Sequence, residues 1–166
     1  DATGTPTIGV GHAVQKTDTK YDNKEISDAL VDALLDLDIA ESELAVVKLG
    51  LTLSQGQFDA LVDLTFNVGA GGPGKDGALW QSNGQPSTLI RLIREGNIQG
   101  AANEFMSWVY HGGVISQGLV SRRKRDQAFF LDQPLPTAQQ EAANKRGSRG
   151  SDEETATNNG KLIPGN

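Results

Sequence analysis

No cysteine occurs among the 166 residues. Its absence excludes disulfide scaffolds, thiol nucleophiles and thiolate zinc sites, but fixes no compartment, because a thiol-free chain is indifferent to redox poise. Basic residues are the minority, 15 against 21 acidic, for a formal net charge of −6 with both histidines neutral. A dedicated nucleic-acid binder would carry a strongly basic face. No apolar run approaches the roughly 20 residues of a membrane span, and residues 1–30 have no signal-peptide pattern. The expectation is a soluble chain whose export, where needed, comes from a larger polypeptide or another machine. There is no H-x-x-x-H, no G-x-S-x-G and no P-loop. Two widely separated histidines argue against a metal site, and no cofactor is expected.

What is present suffices for one domain with one core, since a chain this long buries about 70% of its unfolded surface without a covalent or metal staple. Composition changes sharply near Pro134. Residues 134–166 contain four basic and four acidic residues and no aromatic, too little apolar surface to offset the entropy of ordering the chain. The expected organisation is a domain over 1–133, which carries the whole net charge, and a polar tail or linker over 134–166.

Within the domain, Thr5-Pro6-Thr7-Ile8-Gly9-Val10-Gly11-His12 alternates small and β-branched residues, the pattern of a short strand or hairpin whose glycines allow close approach to the backbone. Apolar residues at Ile26, Leu30, Ala33, Leu34, Leu37, Leu44 and Val47 trace one face of a long helix, with acidic residues opposite. Ser54 with Gln57 three residues on reads as a capping box. It opens a second helix through Phe58, Leu61, Val62, Thr65 and Phe66 that stops at Gly69. Ala70 to Gln85 is glycine-rich and reads as a loop. Ser87 starts a third helix ended by Gly96, and 97–109 and 119–131 read as two more. The fold class predicted is α+β, mostly helical, with a small N-terminal β-hairpin or sheet.

Taken singly, the polar residues are unremarkable. Asp1 and Thr7 beside a turn are ordinary turn formers, and His12 at a strand end is more often a hydrogen-bonded structural histidine than a proton carrier. Arg122-Arg123-Lys124-Arg125, four cations in an acidic domain, suit local pairing better than a polyanion, and an arginine there can also hold a carboxylate in a cleft.

In combination these segments resemble the phage-type lysozymes, glycoside hydrolase family 24. Asp1 to His12 is similar to that family's Asp-(five residues)-Thr-Ile-Gly-x-Gly-His motif. Leu53-Ser54-Gln55-Gly56-Gln57-Phe58-Asp59-Ala60-Leu61 through Phe66-Asn67-Val68-Gly69 resembles its central-helix motif. Ser87 to Arg91, then Ala101 to Phe105 with Trp108, follow in the family's order. Gly112-Gly113-Val114, Gly118 to Arg123 and Phe129-Phe130-Leu131 complete it. The likeness covers residues 1–132.

The resemblance implies a lysozyme-like fold and a peptidoglycan muramidase that hydrolyses the β-1,4 bond between N-acetylmuramic acid and N-acetylglucosamine. It places Asp1 on the catalytic aspartate and Thr7 on the catalytic threonine. His12 pairs with Asp38 from the long helix, His12, Asn67 and Arg122 are substrate-binding or cleft residues, and Arg122 faces the family's acid from the final helix. Inverting hydrolysis needs an acid for the leaving oxygen and a carboxylate about 6.5–9.5 Å away to activate water. Asp1 would be that base, with the Thr7 hydroxyl holding the water and Gly9 and Gly11 keeping the strand open to a bulky glycan.

The family's acid is a glutamate nine residues before the aspartate, and none of Glu25, Glu41, Glu43, Glu95 or Glu104 lies in that motif. Three readings stay open: a fragment of a protein that contains the glutamate helix, favoured here; a glutamate supplied by a separate polypeptide; or a non-catalytic lysozyme-fold module that binds wall glycan or serves a structural role. Lytic transglycosylase chemistry, which uses no hydrolytic water, fits retention of Asp1 and Thr7 poorly. The expected partners are bacterial peptidoglycan and, beyond it, phage tail or baseplate proteins or the N-terminal segment. The wall would be reached in a virion, by holin-assisted release or by effector delivery. The Gly69–Ser87 connection is longer than the family's, either as a surface insertion or as a lid or a partner-binding loop anchored by Trp80.

Overall fold

The computed structural model describes residues 6–10, 12–14 and 25–134. Asp1 and residues 135–166 lie outside them. A two-stranded antiparallel hairpin, β1 (Thr7–Ile8) and β2 (His12–Ala13), pairs Thr7 with Ala13 and Ile8 with His12. Among the described residues five α-helices follow: α1 (Asp28–Val47), α2 (Gln55–Val68), α3 (Thr88–Arg94), α4 (Ile98–Glu104) and α5 (Gln117–Phe130). A 3-10 turn (Phe105–Trp108) continues α4, and a second hairpin, β3 (Tyr110–His111) with β4 (Val114–Ile115), precedes α5. The class is α+β, as the sequence predicts.

Every helix opens on a serine or asparagine whose side chain accepts a backbone N–H of the first turn: Ser27, Ser54, Ser87, Asn97 and Ser116. These short acceptors satisfy donors that a helix start leaves unpaired. The capping box is present in full, with the Ser54 amide donating to Gln57 Oε1 at 3.0 Å. Gly69, with φ of 87°, ends α2 as expected.

Three expectations need correction. Along α1 the buried positions are Leu34, Ser42 and Val46, while Leu37, Leu44 and Val47 are exposed. Apolar residues occur on two sides of this helix, so periodicity alone does not choose the inward one. Gly9 serves the β1–β2 turn, with φ of 58°, rather than holding a strand open; Gly11 is outside the described residues. The glycine-rich segment is a loop, but a fixed one. Ala78 and Leu79 are fully buried, the amides of Ala78 and Leu79 donate to Gly69 and Ala70 carbonyls, and Ser87 Oγ donates to the Ala78 carbonyl at 2.8 Å. Trp80 packs against the core, so it is no free anchor for a partner.

The core joins α2, α3, α4 and α5, with Leu61, Leu64, Ile90, Ala101, Phe105 and Phe130 wholly buried. The rings of Phe105 and Phe130 meet at a tilt with centroids 5.4 Å apart, a favourable aromatic geometry. Helix α2 starts flush against the end of α5: a Cβ on Gly56 would lie 2.2 Å from the Phe129 carbonyl oxygen. Gly56→Ala should therefore push the two helices apart at a cost of about 1–3 kcal/mol, the usual price of overpacking. Urea unfolding measures it, and an unchanged midpoint would show that the close approach carries no weight.

Candidate functional site

A cleft of about 730 Å³ runs between the N-terminal hairpin, α1 and the end of α2. Helix α1 contributes Asp38, Glu41, Ser42 and Ala45, positions three to four residues apart that share one helical face. The C-terminal turn of α2 and the residues after it contribute Thr65, Phe66, Asn67, Gly69 and Ala70. Thr7 of β1, Val10 of the adjoining turn and Arg122 of α5 complete the lining. The cleft thus brings together Thr7, Asp38, Asn67 and Arg122, four residues singled out from the sequence. Asp1 is outside the described residues.

His12 approaches Asp38, with Nδ1 2.9 Å and 3.1 Å from the two carboxylate oxygens. This contact ties β2 to the middle of α1 and so fixes the hairpin that carries Thr7. Helix α1 is steadied at the same point by Ser42 Oγ, which donates to the Asp38 carbonyl at 3.0 Å.

Arg122 is held from outside the cleft. Its Nε and Nη2 donate to the two oxygens of Asp63 at 2.8 Å and 2.7 Å, the bidentate fork that fixes a guanidinium in plane and direction. Next to it, Arg123 is completely buried. It donates to Asp126 and to Asn67 Oδ1, and from Nε to the Trp108 carbonyl at 3.4 Å. Asp63 Oδ2 lies 3.8 Å from Arg123 Nη1. Two carboxylates and two guanidiniums therefore form one cluster that joins α2 to α5 directly behind the cleft.

Their ionisation is shaped by this crowding. Burial pushes the Asp126 carboxyl up to about 7, helped by the hydrogen bond with Asp63 and the Asp63 charge and opposed by Arg123. Burial also works upward on Asp63, but hydrogen bonds from Arg122 and Asp126 and the two guanidinium charges outweigh it and hold that carboxyl below its ordinary value. The hydrogen bond to Asp63 raises Arg122, and burial lowers Arg123. The two carboxyls titrate as an interacting pair, Asp126 held up and Asp63 held down.

Sequence reasoning reached Arg122 but missed Asp63, Arg123, Asp126 and Thr65. The available signal was an acid inside the apolar run Leu61-Val62-Asp63-Leu64, and an Asp three residues after Arg123 on one helix face. Among the described residues no cluster of three His, Asp or Glu side chains could hold a metal ion, and no helix is long and apolar enough to cross a membrane.

The phage lysozyme family model matches residues 1–126. The chain belongs to the phage lysozyme family. It is 35% identical over 144 residues to the endolysin of Bacillus phage B103, a match covering 86% of this chain and 49% of that protein. It therefore spans about half the length of that relative. The endolysin of Salmonella phage P22 is 33% identical over 138 residues, covering 79% of this chain and 83% of that protein. Among solved structures, the muramidase domain of SpmX from Asticaccaulis excentricus superposes with a TM-score of 0.56 at 29% identity, over 78% of this chain and 81% of that one. The fold is lysozyme-like.

The raised Asp126 carboxyl has a consequence for stability. Between the ordinary carboxyl value and about 7 the folded chain holds a proton on Asp126 that the unfolded chain has released. The contribution is full at low pH and is lost as pH rises to about 7. Asp126→Asn removes the titration, so the parent's advantage in melting temperature over the variant should shrink between about pH 4.5 and about pH 8. A constant difference across that range would place the Asp126 carboxyl at its ordinary value.

Proposed function

We propose that residues 1–133 are a muramidase domain that hydrolyses the β-1,4 bond between N-acetylmuramic acid and N-acetylglucosamine in bacterial peptidoglycan, with 134–166 as a polar tail. The observation that carries this reading is the cleft itself. It gathers Thr7, Asp38, Asn67 and Arg122 from four separate elements into one open trough, in a chain of the phage lysozyme family. Relatives named endolysins and a neighbour named a muramidase domain support the substrate class.

In this reading the reaction inverts the sugar. Asp1 is the base that takes a proton from water, and the Thr7 hydroxyl orients that water on the sugar face opposite the leaving group. A glutamate on a helix preceding Asp1 in the whole protein protonates the leaving oxygen. Arg122, fixed by Asp63, lines the cleft as a cation for that acid to face, and the His12–Asp38 contact holds the hairpin at its working distance from α1.

Thr7 is exposed at the cleft and makes no contribution to the core, so Thr7→Val separates chemistry from folding. In the whole protein the substitution should lower the rate of clearing of purified peptidoglycan by about 10²-fold, the lower end of what general acid–base groups supply, with an unchanged melting temperature. Clearing at the parental rate would remove Thr7 from the mechanism. Wall binding without clearing by the parent would instead mark a glycan-binding module.

A further inference from the structure

Exposed apolar side chains are ordinary when scattered over a surface and informative when they line up. Helix α1 carries an aligned set. Leu30, Leu37 and Leu44 recur every seven residues, with Ala33, Ala40 and Val47 three residues after each. These are the a and d positions of a heptad repeat, which share one narrow helical stripe. All six are exposed, Leu37 and Val47 at 61% and Leu44 at 52%. The stripe runs about 26 Å along the helix. It is not the face that holds α1 in the fold, where Leu34, Ser42 and Val46 are the buried positions. Nor does any of the six line the cleft, to which α1 gives Asp38, Glu41, Ser42 and Ala45.

The charges beside the stripe decide what fits it. Helix α1 holds six acidic residues and no basic one. Asp32, Asp36 and Glu43 border one edge and Glu41 the other, all of them exposed. Pairing with a second copy would set carboxylate against carboxylate in either direction. Parallel helices bring Asp36 to Glu41, and antiparallel ones bring the Asp36 and Glu43 edges together. Anionic lipid is repelled for the same reason, and helices that lie on membranes carry lysine and arginine beside their apolar face. A helix with leucines on one face and cations next to them matches both features. Its leucines fit the shallow steps at Ala33 and Ala40, and its cations meet the two acidic edges.

We propose that the exposed stripe of α1 is a docking surface for a basic amphipathic helix of a partner protein. The proposal is independent of the muramidase reading, because the stripe lies outside the cleft.

The test uses the full chain and two synthetic three-heptad peptides with leucine at a and d. One carries lysine at e and g, the other glutamate, and fluorescence anisotropy follows binding. The lysine peptide should bind at least about tenfold more tightly than the glutamate peptide. Leu37→Gln with Leu44→Gln should weaken the lysine peptide by about tenfold to hundredfold, as expected when two leucines no longer give up their water. Its melting temperature should equal the parent's, since both side chains are already exposed. Asp36→Asn with Glu43→Gln should weaken binding by about threefold to tenfold and flatten its dependence on salt.

Equal binding of the lysine peptide by parent and leucine variant overturns the proposal, because the stripe is then not where the helix sits. Equal binding of both peptides by the parent overturns it too, since the acidic edges then select nothing. A lowered melting temperature in the leucine variant would show the stripe covered by the chain itself. A parent dimer in sedimentation at neutral pH that the leucine variant dissolves would assign the stripe to a second copy. Binding to vesicles of phosphatidylglycerol and phosphatidylethanolamine, lost in the same variant, would assign it to lipid; each of these three results also overturns the proposal.

Discussion

Arg123 is the residue on which the cleft depends. A guanidinium with no exposed surface is costly to bury unless its donors are used. Here they reach Asp126 on its own helix, Asn67 on α2 and the carbonyl of Trp108 at the end of the 3-10 turn. One side chain thereby joins three segments that apolar packing alone would leave free to slide. Apolar contacts between α2 and α5 set how close the helices come, with Gly56 permitting the tightest approach. The polar cluster adds direction, because a fork of N–H groups meets its acceptors in only one arrangement.

That arrangement has a working face. The helix turn that buries Arg123 presents Arg122 to the cleft, and Asp63 grips Arg122 from the side. Asn67 has its amide oxygen fixed from within while the residue itself lines the cleft. On the opposite wall, the His12–Asp38 contact attaches the small hairpin to α1, and Thr7 comes with it. A two-stranded hairpin has little stability of its own, so its position relative to α2 and α5 is inherited from α1. The site is assembled by two polar ties, one for each wall, beside a mainly apolar core.

Much of this was legible in the sequence because its signals are local. Serine caps, a capping box and a glycine stop mark helices wherever they occur, and the α2 and α3 assignments rest on them, while alternating small and β-branched residues mark the N-terminal hairpin. The resemblance to phage lysozymes supplied what local chemistry does not: a reason to group Thr7, Asp38, Asn67 and Arg122, which are scattered over more than a hundred positions. The rest was hidden for physical reasons. The inward face of α1 is ambiguous because Leu37 and Leu44 are as apolar as Leu34. The β3–β4 hairpin around Gly112-Gly113 is only two residues per strand and exposed throughout. A buried arginine reads in sequence like any other member of a basic run, so only the fold distinguishes Arg123, with no exposure, from Lys124 and Arg125, which are exposed. Asp63 and Asp126 gain meaning only when α2 and α5 are side by side.

The most direct measurement of this account is a double-mutant cycle between Arg123 and Asp126, using Arg123→Met, Asp126→Leu and the pair, followed by urea unfolding at about pH 8, where Asp126 is ionised. Asp126→Leu leaves the buried Arg123 guanidinium without its nearest carboxylate, Arg123→Met leaves a buried carboxyl without its donor, and each should cost about 3–5 kcal/mol. The double change removes both, so its cost should fall short of the sum by about 1 kcal/mol or more, within the range seen for residues in direct contact. Strictly additive costs would mean that the two charges do not sense each other, and the polar tie between α2 and α5 would not be what holds the cleft.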